Sequence, residues 1–166
     1  MSAARTAPAL VAAALLLAGC GSGSVDRVQS QRLDVIRRAT QIYQNPDAAL
    51  ARGYFQVPGC IKSSDGSGAL GTLFFNLTDP ATRVDLVHPQ ELFYDLNPAH
   101  GNSQLLGVGY YEHAHGQRPP LTPLGHMEGP LPGVLPNQGS HYELHAWVYK
   151  HSPDGVLSFW NKGVHC

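Results

Sequence analysis

Past Gly53 every apolar run in this sequence is short, rich in aromatic or β-branched residues, and fenced by turn residues. That pattern admits strands and excludes a helical bundle. The strand-like runs are 54–57, 71–77, 91–96, 104–111, 142–150 and 156–160. The last two flank His151-Ser152-Pro153-Asp154-Gly155, where fixed φ, a local side-chain acceptor and a residue free to take positive φ follow one another. This spacing predicts a hairpin. Before Gly53 the period is helical. Val28, Val35, Ile36, Ala39, Ile42 and Tyr43 recur at three and four with arginines between them, predicting an amphipathic helix over 28–44. Asn45 as N-cap, Pro46 at the first position, Asp47 in the first turn and Gly53 as the stop predict a second helix over 46–52. Helices followed by strands give an α+β class. The expected form is an N-terminal helix packed on a curved, mainly antiparallel sheet, by analogy with cystatin-like folds, with no internal repeat and no second hydrophobic core.

Residues 1–19 read as a lipoprotein signal peptide. Arg5 precedes an apolar stretch, Ala9 to Ala18, too short to cross a bilayer. It ends in Leu17-Ala18-Gly19-Cys20, which resembles the lipobox of bacterial lipoproteins, whose cysteine is acylated. The alternative is an ordinary secretory signal with an incidental cysteine. Cys20 with the Gly/Ser-rich residues after it reads as a lipidated residue and flexible tether over 20–27, and residues 28–166 as one globular domain. The expected place is the extracytoplasmic face of the cell membrane, held by a lipid anchor. With Cys20 acylated, Cys60 and Cys166 remain, and an oxidising compartment favours a disulfide between them. Closing so long a loop is worth roughly 4 kcal/mol in the chain-entropy account. Two free thiols or a metal pair are the alternatives.

Charged residues are only 14% of the chain and the net charge is −1, which argues against a nucleic-acid partner. There is no G-x-S-x-G, phosphate loop or C-x-x-C. The Gly66-Ser67-Gly68-Ala69-Leu70-Gly71 run reads as a turn beside Cys60. Asp85, Glu91, Asp95 and Glu112 read as single solvated carboxylates near strand ends.

The nine histidines are the most suggestive feature. If 141–150 is a strand, alternate residues share a face. His141, Glu143, His145, Trp147 and Tyr149 then form a polar-aromatic row suited to a ligand-binding wall, opposite a core face of Tyr142, Leu144, Ala146 and Val148. Between 116 and 140, six prolines and five glycines make a long loop that would lid this wall. Three readings of the row stand beside ligand binding. One is a hydrogen-bonded, partly buried histidine row with no metal. Another is general acid–base work, with His145 or Glu143 as the candidate. The last is a metal site. His141 and His145 lie about 13 Å apart along a strand, too far to share an ion, so such a site would draw on His113, His115, His141 and Glu143. The ligand-binding wall makes the protein a small-molecule or envelope-partner binder, the metal site a metalloprotein or metal-assisted enzyme; a structural envelope protein without a pocket is a third class. No cofactor is specified.

The residues His141-Tyr142-x-Leu144-His145-x-Trp147, Pro153-x-Gly155, Trp160-Asn161 and Cys166 resemble a family of uncharacterised secreted or lipid-anchored microbial proteins. The resemblance extends to Ala39-Thr40, Ala48, Gly53-Tyr54, Cys60, Gly71 to Asn76, Pro89 to Leu92, Leu105 to Val108 and Gly125 to Gly133, covering most of 38–166. It implies the fold, export and the cysteine pair rather than an activity. Two positions depart from the family pattern, Leu73 in place of His and Gly109 in place of Glu. They remove two natural partners of His141 and His145 from a shared polar or metal site.

Overall fold

The structure, a computed structural model, describes residues 22–76, 83–133 and 138–166. Helix α1 spans Ser22–Thr40. Leu33, Ile36 and Thr40, at spacings of three and four, are its buried stripe, while Val28 is 42% exposed. The helix therefore starts inside the stretch expected as tether, because extending a helix fixes one residue per new hydrogen bond once a turn exists. Its end tightens into a 3-10 turn, Gln41–Gln44. Asn45 then caps α2, Pro46–Leu50, by accepting from Asp47 N at 3.0 Å, as its sequence predicts. The lipobox-like segment lies outside the described residues. Among the described residues no helix is long and apolar enough to cross a membrane.

Seven strands follow: β1 Phe55–Gln56, β2 Ile61–Lys62, β3 Ala69–Phe75, β4 Glu91–Asp95, β5 Gln104–His113, β6 Glu128–Leu131 and β7 His141–Ala146. They pair antiparallel in the order β1-β3-β4-β5-β7-β6, with β2 also on β3. The class is α+β, with α1 packed on the sheet. The alternation of each strand sorts its residues between two covered faces. Phe74, Leu92, Tyr94, Val108, Tyr110, Tyr142 and Leu144 meet Leu33 and Ile36 on the helix side. Leu73, Phe75, Phe93, Tyr111 and Trp147 form a separate cluster on the other, with Val164 of the C-terminal segment and Ile61 of β2 against it. Burial of both sheet faces corrects the expectation of a single core.

The C-terminal segment covers this second face without forming the expected hairpin. Trp147 N donates to Val156 O at 2.8 Å, and Asn161 makes an isolated bridge to Ala69. The chain bends after Ala146 because Tyr149 N and Lys150 N both donate to Leu106 O. That bend carries Tyr149 to the helix side, where its hydroxyl donates to Arg37 O at 2.7 Å, so it leaves the row expected to share the histidine wall. Gly68 lets the segment approach: a Cβ there would stand 2.6 Å from the Asn161 carbonyl. Cys60 and Cys166 are joined by a disulfide across a sequence separation of 106 residues, securing the cover at its end.

Within 116–140 the chain is more ordered than a loop. It contains β6, and Leu124 and Met127 are buried in the helix-side cluster. Residues 134–137 lie outside the described residues.

Candidate functional site

His141, Glu143 and His145 alternate with Tyr142 and Leu144 along β7, and the alternation places all three under the C-terminal cover. All three are buried, at 1%, 7% and 1% exposure. His141 Nε2 donates to Glu143 Oε1 at 2.7 Å, and its Nδ1 donates to Gly139 O at 3.1 Å. Two acceptors on one ring require the imidazolium. Burial opposes that charge, yet the adjacent Glu143 carboxylate outweighs it and raises the His141 pKa. Glu143 likewise resists burial: the hydrogen bond from His141 and the charges of His141 and His145 hold its carboxyl down at about 2.

His145 is fixed from behind. Its Nδ1 donates to Phe159 O at 2.6 Å, and its ring stacks on Phe159 with 4.3 Å between centroids and meets Phe93 edge-on at 4.7 Å. Nε2 therefore points the other way, to Glu143 Oε2 at 3.4 Å and to Glu91 Oε2 at 3.6 Å. Neither separation closes a hydrogen bond, and Glu91 Oε2 and His145 Nε2 are both buried without a hydrogen-bond partner. Burial presses against a charged His145, but the two carboxylates raise its pKa to about 10. Burial raises Glu91 to about 7, the Glu143 charge adding to it.

Glu91 is the residue that the sequence concealed. Expected as a solvated carboxylate, it is 2% exposed. It opens β4 opposite Gly109 of β5. A Cβ at Gly109 would stand 2.0 Å from Glu91 Oε2 and 2.9 Å from Phe93 Cζ. The absence of a side chain at 109 is thus what admits the Glu91 carboxylate, and the departure at Gly109 does not leave the histidines without an acidic partner. The signal in the sequence was the run Glu91-Leu92-Phe93-Tyr94, apolar on both alternations, which marks a strand covered on both faces. Asp85 and Asp95 lie near the surface but are not single: they pair with His88 at 2.9 Å and His100 at 2.7 Å.

Glu91, Glu143 and His145 present one donor atom each within 4.8 Å of one another. His113 and His115, expected to join such a group, do not. His113 pairs with His141 in register, but at the strand end beyond the cover, and both His113 and His115 are exposed. The Tyr111 ring stands against both His113, at 5.0 Å, and His141, at 4.8 Å. His141 is not one of the three donors; it binds the other oxygen of one of them, Glu143 Oε1.

A cavity of about 170 Å³ lies beside the cluster. Glu91, His141 and Glu143 form its polar wall, and Leu73, Leu131 and Trp160 are among its apolar walls. The expected lid is realised in part by Leu131 and Pro132, joined by Phe159 and Trp160 of the C-terminal cover. Trp147, placed on the binding wall by alternation, is a packing residue: its Nε1 donates to Ser158 O at 2.7 Å and its ring lies 5.4 Å from Phe93.

Comparison of the chain with protein-family models, with curated proteins and with solved structures gave no match.

Proposed function

We propose that this is an exported, lipid-anchored domain that binds a small ligand in the cavity between the sheet and the C-terminal cover. The observation that carries the reading is the cavity's make-up. A few convergent polar groups, the Glu91, His141 and Glu143 side chains, stand in an otherwise apolar concavity. That is the usual composition of a small-molecule site. At about 170 Å³ it suits a ligand the size of one small ring. Its polar wall favours one that carries a hydrogen-bonding group.

Export and anchoring are supported by Leu17-Ala18-Gly19-Cys20, by the resemblance of the C-terminal motif to secreted or lipid-anchored proteins, and by the Cys60–Cys166 disulfide, a bond typical of oxidising compartments. Anchoring makes a membrane the first partner, on its extracytoplasmic face, through acyl chains on Cys20.

A thermal-shift screen of ring-sized polar compounds tests the binding reading. Hits should be abolished by Leu73→Trp, which fills the cavity, and retained by His113→Ala outside it. Hits indifferent to Leu73→Trp would refute the site. Incorporation of a labelled fatty acid, lost in Cys20→Ser, tests the anchor.

A further inference from the structure

His145 Nε2, Glu143 Oε2 and Glu91 Oε2 converge at separations that suit neither hydrogen bonding nor mutual avoidance. Nitrogen and oxygen ligands of a divalent transition metal lie about 2.0–2.2 Å from the ion. Two of them at a tetrahedral angle are then about 3.3–3.6 Å apart. The His145 distances, 3.4 and 3.6 Å, fall in that interval. We propose that Glu91, Glu143 and His145 form a site for one divalent transition-metal ion, with a fourth position open to the cavity.

Three further features fit. First, two of the donor atoms, Glu91 Oε2 and His145 Nε2, are fully buried and lack a hydrogen-bond partner. Buried polar atoms left open in this way are rare unless something else satisfies them. Second, each ligand is oriented from outside the group. His145 Nδ1 is tied to Phe159 O, which directs Nε2 inward, and His141 binds Glu143 Oε1, which leaves Oε2 turned to the site. Metal-bound histidines and carboxylates are characteristically held like this by their other atoms. Third, among the described residues the group comprises three protein donors, and the cavity borders Glu91 and Glu143. Three protein ligands with an accessible fourth position is the arrangement of reactive rather than purely structural zinc sites. One imidazole and two carboxylates suit first-row dications such as zinc or manganese, and offer no thiolate to select a softer ion. A small oxygen- or nitrogen-donor ligand in the cavity would complete the coordination; that last point rests on the cavity reading above, whereas the metal site does not.

The test uses the chain purified without a histidine tag, stripped with a chelator and titrated with zinc alone. One equivalent should bind. Glu91→Gln and His145→Gln should each weaken binding more than about tenfold. The double variant His113→Ala, His115→Ala should bind unchanged. X-ray absorption at the zinc edge of the unsubstituted protein should show a nitrogen and oxygen shell with one imidazole and no sulfur, which decides the matter even if a variant fails to fold. Less than about 0.1 equivalent of bound zinc overturns the proposal, as does unchanged affinity in Glu91→Gln, loss of affinity in the His113/His115 variant, or a shell with two or more imidazoles. A zinc site without cavity ligands would sink only the ligand reading, and cavity ligands without zinc only this one.

Discussion

The two faces of the sheet bury polar groups in different ways. On the helix side buried or half-buried hydroxyls donate to backbone carbonyls: Thr40 to Ile36 at 2.7 Å, Tyr94 to Tyr43 at 2.6 Å, Tyr110 to Leu86 at 3.0 Å, Tyr142 to Gln117 at 2.6 Å and Tyr149 to Arg37 at 2.7 Å. The tyrosine bonds tie loops and helix to the sheet and leave none of these hydroxyls open. Under the C-terminal cover Tyr111 and Trp147 make similar bonds, to Gln138 O at 3.0 Å and Ser158 O at 2.7 Å, but this face also buries a group of ionisable side chains, two of whose atoms have no hydrogen-bond partner. A closed donor–acceptor pair holds structure together, whereas a buried charge kept open costs stability and is retained where it does something else. The difference supports placing the proposed sites on the covered face and reading the helix face as scaffold.

The largest expected effects test the scaffold beneath the site. Phe93→Ala, which removes the ring between His145 and Trp147, should destabilise the protein by about 3–5 kcal/mol in chemical denaturation. Replacing Cys60 and Cys166 together by serine should cost up to about 4 kcal/mol and loosen the cover. Gly109→Ala comes next, at about 1–3 kcal/mol, since its methyl group meets the Glu91 carboxylate. Part of that loss should return in the Gly109→Ala, Glu91→Ala double variant. Strict additivity of the two substitutions would mean that the carboxylate does not occupy the space beside Gly109.

The sharpest contrast between the faces is smaller. Tyr142→Phe should cost about 1 kcal/mol, leaving the Gln117 carbonyl unpaired. In metal-free protein Glu91→Gln should cost nothing or stabilise, because it removes a buried charge whose hydrogen bonds are not closed. Equal losses from both would erase the distinction.

These contrasts were only partly legible in the sequence. Period-two alternation was enough to put His141, Glu143 and His145 on one face and Tyr142 and Leu144 on the other, and the cysteine pair followed from redox chemistry. Cap chemistry placed α2. The missing pieces depend on contacts between distant segments. Glu91 enters the cluster through two successive strand pairings, β4 with β5 and β5 with β7, and through the gap at Gly109. Tyr149 left its expected face because two amides beyond Ala146 share the Leu106 carbonyl, which no local pattern announces. β2 and β6 are two and four residues long, and Pro130 in β6 is a poor strand signal, so neither stood out.

The remaining expectation is a pH dependence in metal-free protein. The groups facing Glu91 are His141, Glu143 and His145 of β7 and Tyr111 of β5. Glu143 titrates lower when folded, so its contribution is present above its ordinary value of 4.5 and is lost as pH falls toward 2. Glu91 titrates higher when folded, so the protonated form favours folding and stability declines as pH rises from 4.5 toward 7. His145, also raised, extends the decline from 6.5 toward 10. Denaturation midpoints should therefore peak near pH 4.5, with the decline up to pH 7 flattened in Glu91→Gln.

Anomalous diffraction from crystals of the full chain soaked in zinc addresses the covered face without substituting any residue. A single strong peak bounded by Glu91, Glu143 and His145, beside the cavity, is the predicted result. A difference map with that position vacant while zinc decorates His113 and His115 outside the cover would contradict the account.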